Sequence, residues 1–151
     1  MGATALMEKE AQSKKRAQPT RKAQPSAKAK PGTRNRDLGR KGEDAAERYL
    51  VHRGYEILER NWTCFAGEAD IIAKDERCLV FVEVKTRRNT DKGFPSEAVD
   101  AKKRERYEKI ALAYASDYPE ADMQVRFDVI SIVVIGKDKA MIRHHLNAFT
   151  R

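Results

Sequence analysis

The chain has 151 residues, enough for one domain with a core of its own, and carries 31 Lys and Arg against 23 Asp and Glu. No stretch approaches the ~18 consecutive apolar residues of a membrane span. Its two cysteines, Cys64 and Cys78, form no CxxC or Cys/His cluster, which argues against structural zinc and for free thiols in a reducing, cytoplasmic setting without a membrane partner.

Residues 1–36 hold ten Lys and Arg but only two acids, so they account for the whole formal charge of +8. After Met7 no large apolar residue occurs until Leu38. Such a segment buries too little surface to offset its ordering entropy and reads as a disordered basic tail ahead of a folded domain over 37–151. The tail could hold polyanions through counterion release, could only solubilise, or could be a targeting peptide. Pro19, Pro25, Pro31 and the missing apolar core of a leader count against the last.

In chain order, Asp37 is placed to cap a helix running to about His52, with Ala45, Ala46, Tyr49 and Leu50 on one face and Gly54 ending it. A short strand follows over 55–60, then a turn-rich connection over 61–67 that contains Trp62. Strands over about 68–74 and 78–85 form a hairpin around Asp75-Glu76-Arg77. Residues 86–95 read as a polar loop. A second helix runs from about Ser96 or Asp100 to Ser116, with Tyr107, Ile110, Ala111 and Tyr114 inward and Pro119 beyond it. A strand over 125–135 and a weaker one over 140–146 complete the order α-β-β-β-α-β-β, an α/β fold with a mixed sheet flanked by helices.

Charges concentrate at one place in this pattern. Asp70 heads the apolar strand that contains Ile71 and Ile72, and Glu83 and Lys85 lie near the end of the next strand. With Glu76-Arg77 as the hairpin loop, Asp70 falls opposite Glu83 and Glu68 opposite Lys85, with Cα atoms roughly 4.5–5.5 Å apart. Unpaired charge on an apolar strand costs several kcal/mol, and a divalent cation held by Asp70 and Glu83 would remove that cost. The ion would acidify a water, and Lys85 would orient that water or meet the growing charge. The competing reading is a surface ion pair at a strand end.

Other charged residues carry weaker signals. Glu43 lies in the first helix, where an acid also simply complements the dipole. Arg87 and Arg88 lead from Lys85 into the loop and suit phosphate, though a solvated charge run reads equally well. Lys102, Lys103 and Arg104, with Arg106, crowd a helix start that disfavours cations unless an anion is near. His144 and His145 point to opposite faces of a strand, so they read as incidental, and Arg126 with Asp128 reads as an intrastrand ion pair.

Gly39-Arg40-Lys41-Gly42-Glu43, Gly54-Tyr55, Asn61-Trp62, Gly67-Glu68-Ala69-Asp70-Ile71-Ile72-Ala73, Phe81–Arg88, Ala98-Val99, Lys103 and Arg126–Val129 stand in an order that resembles the YraN-like family of bacterial proteins. That family is grouped with the PD-(D/E)xK nuclease superfamily and is similar to archaeal Holliday-junction resolvases. The resemblance spans roughly 38–149 and implies a restriction-endonuclease-like core with Asp70, Glu83 and Lys85 as catalytic residues. It also implies Glu43 as a further ligand or metal-orienting acid, and Lys103 as a phosphate or active-site contact. Asp70, Glu83 and Glu43 would hold Mg²⁺, with Mn²⁺ as a substitute. Ala69 stands where the superfamily name has proline, and Arg104 where relatives often have glutamine.

The function implied is a metal-dependent, structure-selective DNA endonuclease of repair or recombination, with DNA as partner and a two-fold homodimer as its assembly. The alternatives are a non-catalytic nucleic-acid-binding protein of the same fold, and a scaffold whose tail contacts acidic partners.

Overall fold

The computed structural model of the chain describes residues 31–88, 99–117 and 123–149. The basic tail up to residue 30, the loop expected over 89–95, Ser96 as a helix start and Pro119 lie outside the described residues.

Helix α1 spans Pro31–His52. It starts six residues ahead of the expected Asp37 cap, because residues 34–37 form an exposed turn that needs no apolar face. Proline suits a first turn, where its missing N–H would have no partner anyway. The helix ends at Gly54, whose φ of +92° only glycine takes easily, and Tyr55 N–H closes the turn on Leu50 C=O at 3.0 Å.

Strand β1 (Glu56–Cys64) runs through the region expected as a connection, leaving Phe65-Ala66 as the turn into β2 (Gly67–Asp75). Trp62 and Cys64 pack against the core beneath α2, which gives this polar-looking stretch its reason to stay extended. The Glu76-Arg77 turn leads into β3 (Cys78–Arg88). Thr86, Arg87 and Arg88 are therefore strand residues and not loop, since Ile132, Val133 and Val134 of β4 offer three further apolar partners in register. Helix α2 (Ala101–Ser116) is capped by Asp100, whose carboxylate accepts from Lys103 N–H at 2.8 Å. Strands β4 (Gln124–Val134) and β5 (Ala140–His145) follow.

The five strands lie in the order β1-β2-β3-β4-β5, with only β3 and β4 parallel, joined through α2. The mixed sheet separates two apolar clusters. Ala46 and Leu50 of α1 cover Ile71, Ala73, Val80, Val82, Ile130 and Ile132. On the other face, Tyr107, Ile110, Ala111 and Tyr114 of α2 cover Ala69, Ile72, Leu79, Phe81 and Val129. The strand directions bring the start of β2, the ends of β3 and β4 and the β4–β5 turn to one end of the sheet. Lys103 contacts Glu83, so α2 begins at that end as well. Every acid and base singled out around Asp70 lies there.

Candidate active site

The hairpin register is the expected one from Asp75↔Cys78 to Ile71↔Val82, and there the β2–β3 ladder stops. Asp70 and Glu83 consequently do not form a ladder pair, and Glu68 lies opposite Thr63 of β1 instead of Lys85. The cause is visible one strand away. Arg60 bonds to Glu47 and Asp44 of α1, whereas Trp62 packs with the α2 cluster. Their ladder partners Ile71 and Ala69 divide between the same two faces. Strict alternation would keep residues two apart on one face. Both strands thus change phase at Asn61 and Asp70. Asn61 takes φ +50°, a left-handed conformation that asparagine tolerates better than most residues.

At the phase change Asp70 is released from both faces and turns toward β3, where its Oδ2 accepts Val84 N–H at 2.8 Å. The carboxylate takes the hydrogen bond that a continued ladder would have supplied. Burial raises its pKa, Val84 N–H opposes the rise, and Glu43, Glu83 and Glu68 add to it, leaving Asp70 at about 7. An acid held against its ordinary pKa by burial and like charge, at the mouth of a sheet, is the electrostatic pattern of a functional site.

Glu83 extends from β3 to the α2 face, where its Oε1 takes Lys103 Nζ at 2.5 Å and its Oε2 is buried with no hydrogen-bond partner among the described residues. Lys85, half-buried and two residues on, shares that face and lies in register with Ser131, which is fully buried. Tyr107 of α2 is also within reach of the acids. Burial, then Asp70 and Glu83, push its phenol well above the usual range.

Glu43 reaches the cluster from α1, and Arg60 holds it at 3.6 Å while bridging to Asp44 and Glu47. The helix can come this close because of Gly42. A Cβ there would stand 1.8 Å from Thr86 Oγ1 and 2.8 Å from Thr86 Cβ. The glycine lets α1 rest on β3 and carries Glu43 beside Asp70.

Asp70, Glu83, Glu43, Lys85 and Lys103 are therefore brought to one end of the sheet. Lys102 is exposed and Arg104 half-exposed in the first turn of α2, and Arg88 lies at the tip of β3. Sequence reasoning missed Arg60 and Tyr107, whose only signal was a polar residue in an apolar strand and an aromatic on an inward helix face. It also passed over His144, which is part of a buried network. Asp128 accepts Arg126 Nε at 2.9 Å, His144 Nε2 at 2.8 Å and Asn147 N–H at 2.9 Å. Arg126 also bonds Tyr55 Oη, and the ion pair with Asp128 is the one expected. Burial alone would raise the Asp128 pKa, but His144, Arg126 and the Asn147 N–H outweigh it and hold the carboxylate low.

Among the described residues, no three acidic, histidine or cysteine side chains already converge as a finished metal cage. The donor chemistry nevertheless fits a hard cation. The acids are oxygen ligands in mutual repulsion, and the buried Glu83 Oε2 lacks a partner. Among the described residues, no helix is long and apolar enough to cross a membrane.

A family model described as "Uncharacterised protein family UPF0102" matches residues 42–132, which include Glu43, Asp70, Glu83, Lys85 and Lys103. A UPF0102 protein of Geobacter sulfurreducens is 45% identical over 115 residues, covering 76% of this chain and 90% of the relative. One from Chlorobium phaeobacteroides is 45% identical over 118 residues, covering 75% and 94%. One from Dictyoglomus thermophilum is 45% identical over 116 residues, covering 76% and 98%.

Proposed function

The chain belongs to the UPF0102 family, and we propose that it is a metal-dependent, structure-selective DNA endonuclease with a restriction-endonuclease-like core, similar in reaction to Holliday-junction resolvases. The observation that carries this reading is the phase change at Asp70. It places a carboxylate of raised pKa between the acids of β3 and α1, with a lysine of β3 two residues beyond Glu83. A core made only for stability has no use for such a concentration of like charge.

In this mechanism Asp70, Glu83 and Glu43 would hold Mg²⁺, or Mn²⁺ in its place, which when bound would supply charge neutralisation at the scissile phosphate and acidification of a water. The chain's own residues do the rest. Val84 N–H fixes the Asp70 carboxylate, and Lys103 fixes one oxygen of Glu83, leaving the other buried without a partner among the described residues. Lys85 orients the attacking water and meets the negative charge that develops on the phosphoryl oxygens. Arg60 screens Glu43 from its neighbours and holds it near the cluster. Arg87, Arg88, Lys102 and Arg104 contact the backbone on either side. A two-fold dimer would present two such sites to two strands.

The reading is tested by incubating labelled junctions, flaps, duplexes and single strands with Mg²⁺ or Mn²⁺, using wild type and an identically prepared Lys85→Ala variant. Metal-dependent cutting reduced by at least about 100-fold in the variant is expected, the scale typical of losing a charge-stabilising group. Equal cutting by both proteins, or none by either, would remove the enzyme reading. Binding that persists without cutting would favour a nucleic-acid-binding protein of the same fold.

A further inference from the structure

A second charged feature lies on the other side of α1. Between this helix, the tip of β3 and the β4–β5 turn is a cavity of about 520 Å³ lined by Leu38, Lys41, Arg88, Val134, Gly136 and Lys137. A neighbouring cavity of about 300 Å³ shares Lys41, Val134, Gly136 and Lys137 and extends the cleft to Arg48 and Lys139. The β4–β5 turn that forms its outer wall is tied back by Ile135 N–H to Lys139 C=O at 2.8 Å. Its floor is largely apolar, and the charged side chains that line it are mostly cationic. Of the two acids along it, Asp44 is already bonded to Arg60 at 2.9 Å, leaving Asp138 against five Lys and Arg.

On α1 the cations follow a helical period. Arg34, Lys41 and Arg48 are seven residues apart and fall on one stripe, the stripe that Lys41 and Arg48 turn toward the cleft. At about 1.5 Å per residue the stripe runs roughly 21 Å. Arg34 lies outside the lining of both cavities, and at about 3.4 Å per nucleotide along one strand of helical geometry the roughly 10 Å from Lys41 to Arg48 matches about three phosphates. The cleft also adjoins the acids. Lys41 and Glu43 flank Gly42, the point where α1 meets Thr86 of β3, and Arg88 lies two residues beyond Thr86. The chain upstream of the stripe is itself basic, so it carries the wrong sign to occupy the cleft.

Resting on the nuclease reading above, we infer that this cleft is a backbone track. It holds the phosphates of one nucleic-acid strand leaving the acid cluster, gripped by Lys41, Arg48 and Lys137 with Arg88 at its entrance. Phosphate contacts of this kind position a strand without reading its sequence. The track therefore contributes affinity and strand path, and selectivity lies elsewhere.

The test is anisotropy of a labelled single strand of about 20 nucleotides, titrated with the full chain over a series of salt concentrations in chelator, so that cutting plays no part. The variants are the double substitution Lys41→Gln with Lys137→Gln, Lys103→Gln, and Lys109→Gln as a single-charge surface control on the exposed side of α2. The double variant is expected to bind at least about tenfold more weakly, with a salt slope shallower by roughly 1.4, or 0.7 for each lost phosphate contact. Lys109→Gln should match wild type, and circular dichroism melts should coincide for all. Wild-type affinity in the double variant, with weakening in Lys103→Gln, overturns the track and leaves the nuclease reading standing. No binding by wild type overturns both. Loss of binding to anionic vesicles, with oligonucleotide affinity intact, assigns the cleft to a lipid surface and also overturns the track.

Discussion

Asp70 shows how one side chain converts backbone geometry into electrostatics. Its folded-state pKa of about 7 lies far above the ordinary carboxylate value, so between those two pH values the folded state binds more protons than the unfolded state. Stability contributed through this group is therefore greatest in acid and falls as pH rises toward neutrality. The ceiling is roughly 4 kcal/mol at about 1.36 kcal/mol per unit. Asp70→Asn should abolish that slope. Urea denaturation without divalent ions should find the variant more stable than wild type at pH 8 and near it at pH 4.5, and parallel profiles would refute the assignment. Asp128 behaves in the opposite sense. Its pKa is held low, so its stabilisation is present above the ordinary carboxylate value and is lost as pH falls through the folded one. Asp128→Ala leaves Arg126 and His144 without their buried partner and should cost about 3–5 kcal/mol at neutral pH, read by the same denaturation. The Arg126–Asp128 pair was legible from its spacing on one strand face. His144 was not, because nothing local announces a partner sixteen residues away.

At the level of elements, the order of helices and strands was legible almost throughout. Apolar alternation and turn residues are local signals, and β2, β3 and the inward face of α2 followed them. What escaped were extensions: the early start of α1, the length of β1 through Trp62, and the last residues of β3. Each depends on a neighbour that local periodicity does not reveal, as when β4 recruits Thr86, Arg87 and Arg88. The contact between α1 and β3 also follows from one residue type. Gly42→Ala sets a methyl group against Thr86, and relief requires the helix to lift. A cost of about 1–3 kcal/mol is expected from overpacking. Thr86→Ala should recover only part of it, since the Thr86 Cβ remains 2.8 Å from the added carbon. A double-mutant cycle by thermal melts measures that coupling, and full additivity would show that the contact does not set the helix height.

Across the whole molecule, the two flanks of the sheet carry different duties. The α2 side holds Lys103 to Glu83 and an aromatic core of Tyr107, Phe127 and Phe149. The α1 side carries Glu43 and the basic cleft. The acids were legible in the sequence as charges out of place on apolar strands, whereas the route by which they meet was not, because it depends on a phase change shared by two strands. That phase change separates the fold from its chemistry. Asn61 and Asp70 fall between the ladder pairs Arg60↔Ile71 and Trp62↔Ala69, in a ladder whose one register shift lies elsewhere, between Ile57 and Glu59, and removing both would leave Arg60 beside Trp62 and Ala69 beside Ile71 on the faces they already occupy. A chain lacking these two residues should still fold cooperatively, with near-native circular dichroism, while losing metal-dependent cutting. Failure to fold would show that the two residues are structural. On the expectation that it folds, the acid is a graft on a scaffold complete without it, and the proposed chemistry and the shape of the protein would be separable.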